Sequence, residues 1–318
     1  MFLKFLKKSL LIIIPAVIYC SIMGAVDSFN LFNSKLIPIE IKKKYAPLNY
    51  ALWQIIDYNK NPVKNILIGD SRIGHLDCTA IEEAAHDQYY NFSLGGGNLQ
   101  EIIDVFWFAE SRIRLKNVYM SVNLEIYNKT NSRDRVEGAI SIVSNPLLYF
   151  TNFNVLHAAY YDMKEYILTS AEKAAIGTPE MTINDFWNYQ VNFAGTRLFS
   201  NYQYPDNYYF ELSKISKYCK LHNILLTFLI MPNHTDIIKL ISKFNLEKEN
   251  NIFIKNLSTL GIVYNFNLIN SLTKNKNNFT DPFHFKSTIA DSIVSIVWKH
   301  SETKSNEFFT TNFRNQGH

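Results

Sequence analysis

KNILIGDSR, Lys64 to Arg72, sets the fold of this chain. Asn65 to Ile68 is a short apolar run rich in β-branched residues, and Gly69-Asp70-Ser71 ends it with turn formers. Such a run without polar alternation is the signature of a strand buried on both faces, as in a parallel sheet. Further strand candidates follow along the chain. YYNFSL (Tyr89 to Leu94), NVYMSVNL (Asn117 to Leu124), ILLTFLIM (Ile224 to Met231) and Ile262 to Phe266 read as strands. Between them, Thr79 to Ala85, Leu99 to Ile113, Leu212 to His222, Ile252 to Leu260 and Lys286 to Trp298 carry helical spacing. Alternation of this kind predicts an α/β fold, a three-layer α/β/α sandwich around a short parallel sheet. Ligands then bind beyond the carboxyl ends of the strands, so chemistry belongs just after them.

The flanks divide the remainder. Met1 to Lys8 carries three lysines, and Ser9 to Val26 carries no charge before Asp27. As a helix that run spans about 27 Å, near the apolar thickness of a bilayer. Residues 1–27 are therefore expected to be a single transmembrane anchor with a cytoplasmic N-terminus and an exported body. A cleaved signal peptide and a buried core helix are the alternatives. Residues 28–61 read as a stalk or lead-in with a short helix around Leu48 to Ile56, and 62–300 as the α/β domain. The stretch 130–205 lacks a strand and reads as a mostly helical insertion, with a polar tail at 301–318. Of 318 residues, 47% are hydrophobic, which is ample for a core, and the net charge of +4 is concentrated near the N-terminus. No basic stripe interleaved with aromatics is present, which argues against a nucleic-acid partner. Cys20, Cys78 and Cys219 have no zinc spacing, and neither a metal nor a cofactor is expected. Cys78 and Cys219 either pair on export or serve as small buried side chains.

Four places carry candidate chemistry. Ser71 directly follows the first strand, where a hydroxyl faces substrate and a following helix would point its positive end at a developing oxyanion. The plainer alternative is a turn with a capping residue. Asp281-Pro282-Phe283-His284 precedes the last helix, and one such loop can supply both a base and the carboxylate that orients it. A serine hydroxyl needs that base to become a nucleophile. Gly95-Gly96-Gly97 follows the second strand, where a backbone N–H can approach a substrate oxygen. Asn123 ends the third strand as a candidate amide donor, with Asn128 as a competitor. Arg72 and His234 are candidates for substrate contact, and His75 lies one turn from Ser71. Trp187, Tyr189, Tyr202, Tyr204, Tyr208 and Tyr209 either stack on sugar rings or form the insertion's own core.

Together these residues resemble the SGNH (GDSL-like) hydrolase superfamily. Its GDS motif matches Gly69-Asp70-Ser71 and its DxxH motif matches Asp281 to His284. The resemblance implies an SGNH/flavodoxin-like sandwich with Ser71, Asp281 and His284 as triad. It also implies an oxyanion hole from the Ser71 N–H, the Gly96 N–H and Asn123. The third motif departs from the family's GxND, because this chain reads Ser121-Val122-Asn123-Leu124. The GDSR variant behind an N-terminal apolar run is similar to a branch that includes alginate O-acetylation and teichoic-acid D-alanylation proteins. That likeness implies a cell-envelope serine esterase or O-acyltransferase acting on an acylated carbohydrate or polymer. It further implies a multi-spanning membrane acyltransferase as partner. The rival expectations are a catalytically inactive envelope assembly protein of the same fold and a lipid-directed esterase.

Overall fold

The computed structural model describes residues 2–131, 133–168, 182–299 and 310–311, with side chains over 13–131, 133–168 and 182–299. The chain divides into two compact units, one of Met1–Asn61 with Arg135–Pro179 and one of Pro62–Asp134 with Glu180–His318.

The second unit holds the sheet. Strands β1 (Asn65–Asp70), β2 (Tyr89–Leu94), β3 (Asn117–Ser121), β4 (Leu225–Ile230) and β5 (Ile262–Asn265) run parallel in the order β2-β1-β3-β4-β5. The short hairpin β6 (Phe279–Asp281) and β7 (His284–Phe285) stands apart from it, and β8 (Thr310–Thr311) adds an antiparallel edge to β5. The rest of the expected 301–318 tail lies outside the described residues. All six residues of β1 are buried, as the apolar run requires of a central strand. Each such Ile or Leu taken from water contributes about 2 kcal/mol. Leu67, Tyr119, Leu229 and Tyr264 point to the face covered by the final helix, Ser287–Val297, through Ile289, Ile293 and Val297. Alternate residues Ile66, Val118 and Phe228 are buried on the other face, where helices Leu99–Arg112, Asp206–Leu221 and Glu247–Leu260 pack. Gly69 is needed for the sheet to close at its active end. A Cβ there would lie 2.5 Å from Ser121 Cβ, so no larger residue lets β1 and β3 approach.

The first unit is helical. Helices Ile39–Tyr45, Tyr50–Lys60, Arg135–Ser144 and Phe153–Ile167 pack with the end of the N-terminal helix Phe2–Val26. The lead-in and the first half of the insertion thus fold together, while residues 182–205 pack in the sheet unit. The centre of the first unit is a charged knot. The buried Asp27 carboxylate accepts from the N–H groups of Phe32 (3.1 Å) and Ser34 (3.0 Å), with Lys42 Nζ 3.8 Å away. To wrap that carboxylate the chain takes left-handed backbone at Asp27, Asn30 and Asn33. Asp162 is also fully buried, and neither of its oxygens has a hydrogen-bond partner of ordinary geometry among the described residues. Burial pushes its carboxyl up to about 6, with Ser28 and Lys42 offsetting part of the effect.

The transmembrane expectation for residues 1–27 is corrected. Among the described residues, no helix is long and apolar enough to cross a membrane. The helix Phe2–Val26 ends as packing surface for protein: Met23 and Val26 are buried, and Tyr19 Oη donates to the Phe150 carbonyl at 2.7 Å. Ile13, Ile14, Val17 and Ile18 on the same helix are exposed. The run was legible as an apolar helix; its use as an intramolecular contact depends on residues more than a hundred positions away.

Candidate active site

Strand β1, flanked by β2 and β3, delivers Ser71 to the sheet's carboxyl edge, one strand in from the β2 side. The chain then tightens into a 3₁₀ turn over Ile73–His75, with Gly74 N–H donating to the Ser71 carbonyl at 3.2 Å. The next α-helix begins only at Cys78, so the expected helix N-terminus behind Ser71 is replaced by this short turn. The Asp281-to-His284 motif is a tight hairpin in which Asp281 and His284 are cross-strand partners. It brings their side chains together, and it brings both to Ser71. Ser71 Oγ lies 2.7 Å from His284 Nε2, and His284 Nδ1 lies 2.6 Å from Asp281 Oδ2. The other Asp281 oxygen accepts from the N–H groups of Phe283 (2.9 Å) and His284 (3.2 Å). Burial works against the Asp281 charge. The His284 hydrogen bond and the two backbone donors outweigh it and hold the carboxyl below its ordinary range. An ionised Asp281 stabilises a proton arriving on the imidazole. His75 joins this corner, with its ring centroid 5.3 Å from that of His284. Partial desolvation and the neighbouring His284 lower the pKa of His75, which keeps its ring neutral.

Arg72 lies beneath the serine. It is 2% exposed and aims its guanidinium inward. Its Nε donates to Asp70 Oδ1 at 3.1 Å and its Nη1 to Asn233 Oδ1 at 3.0 Å, with further bonds to Asp70 Oδ2 and Glu125 Oε1. Asn233 Nδ2 closes the network onto Glu125 at 3.0 Å. Burial alone would lower the Arg72 pKa, but the two carboxylates raise it, so the side chain stays charged. Arg72, expected to hold an anionic substrate group, is instead internal scaffolding for the residue before it. Glu125 went unnamed in the sequence reading, although a carboxylate between Leu124 and Ile126 just past a buried strand was a usable signal.

The asparagine expected in the oxyanion hole has other work. Asn123 is fully buried; its Nδ2 donates to the Met231 carbonyl at 2.8 Å and its Oδ1 accepts from Met231 N–H at 3.0 Å. It stitches the end of β3 to the end of β4. Asn128 is likewise engaged, donating to Leu198 and accepting from Thr130 and Gln203. Gly96, at φ +60°, adopts the left-handed backbone that glycine tolerates best. His234 is buried rather than open to substrate: its Nδ1 accepts from Asp236 N–H at 3.2 Å, and its ring packs edge-on to Trp187. Its own N–H donates to the Pro282 carbonyl at 2.8 Å, which ties the His284 hairpin to the β4 loop. Trp187 Nε1 donates to Asp236, and Tyr202 Oη to the Tyr127 carbonyl, so these aromatics are anchored within the protein. Tyr189 and Tyr209 are exposed. Cys20, Cys78 and Cys219 are free thiols, and burial pushes Cys78 up to about 11.

No group of three or more metal-binding side chains occurs among the described residues. No family model matches the chain. No curated protein matches it either. Among solved structures, the chain is similar to a Streptococcus pneumonia protein described as a platelet activating factor. The identity is 9% and the TM-score 0.40, over 82% of this chain and 96% of that one.

Proposed function

We propose that this chain is a serine esterase or O-acyltransferase that works through an acyl-Ser71 intermediate on an acylated carbohydrate or envelope polymer. One observation carries the reading: hydroxyl, imidazole and carboxylate stand in line, 2.7 Å and then 2.6 Å apart. As Ser71 Oγ attacks an ester carbonyl, His284 Nε2 takes its proton, and Asp281 holds the imidazolium through Nδ1. The tetrahedral oxyanion is received by the N–H groups of Ser71 and Gly96. Collapse expels the alcohol, which takes the proton from His284, and leaves Ser71 acylated. Water or a sugar hydroxyl then gives its proton to His284 and carries off the acyl group, while His284 returns that proton to the departing Ser71 Oγ. Water makes the reaction a hydrolysis, and a sugar hydroxyl makes it a transfer.

A second reading is a binding protein of the same fold without turnover. The engagement of the Asn123 amide favours it, since a lost oxyanion donor costs about 3 kcal/mol in the barrier. A fluorophosphonate probe decides between them. The wild-type protein is expected to gain one adduct at Ser71 and to release acetate from acetylated sugars, while Ser71→Ala does neither. No adduct on the wild type, or equal labelling of both proteins, defeats the catalytic reading.

A further inference from the structure

With Arg72 sealed inside, a different arginine meets the open edge of the site. Leu94 of β2 is paired with Asp70 of β1, so Gly95 and Gly96 leave the sheet beside Ser71. Parallel neighbours are about 4.8 Å apart, so the glycine turn starts one strand spacing from the turn that carries Ser71, and a group that touches Gly96 lies on the same edge of the sheet. Arg133 is that group. A methyl at position 96 would come within 3.0 Å of Arg133 Nη1, so the left-handed glycine leaves room for the guanidinium. The backbone of Arg133 is held there by a residue of the same loop: Asn98 Nδ2 donates to the Arg133 carbonyl at 3.1 Å. Asn98 is itself fully buried and locked by a reciprocal cap with Glu101. The Arg133 side chain is exposed, and no carboxylate among the described residues pairs with its guanidinium. A backbone held by Asn98, a planar cation that no described carboxylate pairs and a glycine that yields space to it together form a receptor for anionic oxygens.

We infer that Arg133 selects substrates, and that the preferred ester carries a negative charge close to its scissile bond. This rests on the proposed function of Ser71 and adds the substrate class. An anion bridging to Arg133 is oriented with its carbonyl over Gly96 and Ser71. A neutral ester of the same size gains nothing from that contact. Carboxylate and phosphate present the same paired oxygens to a guanidinium, so both are to be compared.

The test measures kcat/KM for three charged esters, each against a neutral counterpart. They are 4-acetoxybenzoate with its methyl ester, 4-acetoxyphenyl phosphate with phenyl acetate, and 4-nitrophenyl hemisuccinate with 4-nitrophenyl butyrate. The first two place a carboxylate or a phosphate on the alcohol, and the third places a carboxylate on the acyl group. Arg133→Gln is expected to lower the charged-to-neutral ratio of at least one pair about tenfold, as loss of a charge-assisted contact implies. R133K should retain part of the preference. The wild-type preference should also shrink as salt is raised from 50 to 500 mM, in buffers chosen for the purpose, because an exposed pair is screened. Unchanged ratios in R133Q for all three pairs, with the neutral esters still hydrolysed, overturn the role of Arg133 and leave that of Ser71 standing. Absence of any hydrolysis together with absence of the Ser71 adduct overturns both.

Discussion

Each unit of this protein buries a knot of charge, and the two knots are finished differently. In the sheet unit, Arg72 lies between Asp70 and Glu125, and Asn233 takes up remaining hydrogen-bonding capacity. In the helical unit, Lys42 serves Asp27, but the Ser28 hydroxyl and Lys42 offset only part of the burial of Asp162. The consequence is visible in protonation. Arg72 is held charged, whereas Asp162 is pushed up to about 6, where it spends part of the physiological range neutral. Removal of charge from water is costly in both places, and only complete pairing recovers the cost. The complete knot is the one directly beneath Ser71. Precision is invested where a hydroxyl must be aimed.

The largest effect that sharpens this contrast belongs to the line above the paired knot. Asp281→Asn should lower kcat/KM for an acetyl ester about 10⁴-fold, since the amide favours the wrong imidazole tautomer. Retention of more than about a tenth of the activity would show that the aim of His284 does not depend on this carboxylate. Next comes the knot itself. Arg72→Met leaves Asp70 and Glu125 buried without their cation and should cost about 3–5 kcal/mol in urea unfolding. A loss below about 1 kcal/mol would remove the distinction between the two knots.

The smallest effect has the opposite sign. The folded-state pKa of Asp162 is raised from 3.8 to about 6, so its proton favours the fold. That stability is complete below 3.8 and is lost as pH rises through about 6. Asp162→Asn has no proton to lose, so it should be more stable than the wild type at pH 7 by about 3 kcal/mol. It should also be flat across pH 4–6 where the wild type slopes. Equal slopes for the two proteins would mean that Asp162 is paired after all.

The sheet was legible because its signal is local. KNILIG and ILLTFLIM each matched a strand to within a residue or two, since burial on both faces leaves no polar alternation to misread, and YYNFSL matched the half-buried edge strand β2. The meeting of Ser71, His284 and Asp281 was expected from turn chemistry at strand ends, and the distances agree with that geometry. What the sequence did not reveal were the destinations of polar side chains. Arg72 and Asn123 look the same in sequence whether they face substrate or interior. Their fate is decided by Glu125, Asn233 and the Met231 backbone, which approach only when the sheet is assembled. The pairing of residues 28–61 with 135–168 is equally non-local, because two helical stretches carry no label for each other. Arg133 was missed for a related reason. Its value comes from lying over a left-handed glycine, and sequence spacing does not encode that.

The four residues after β4, Met231 to His234, have a disproportionate reach. Met231 holds the end of β3 through Asn123, Asn233 holds the arginine under the nucleophile, and His234 holds the hairpin that carries the base. Ser71 and His284, the proposed nucleophile and base, come from distant parts of the chain, yet their supports share this one keystone. Natural variation should therefore run freely over the surrounding exposed loops and stall at this tetrapeptide, which makes it a poor place to engineer and a good place to look for crippling lesions.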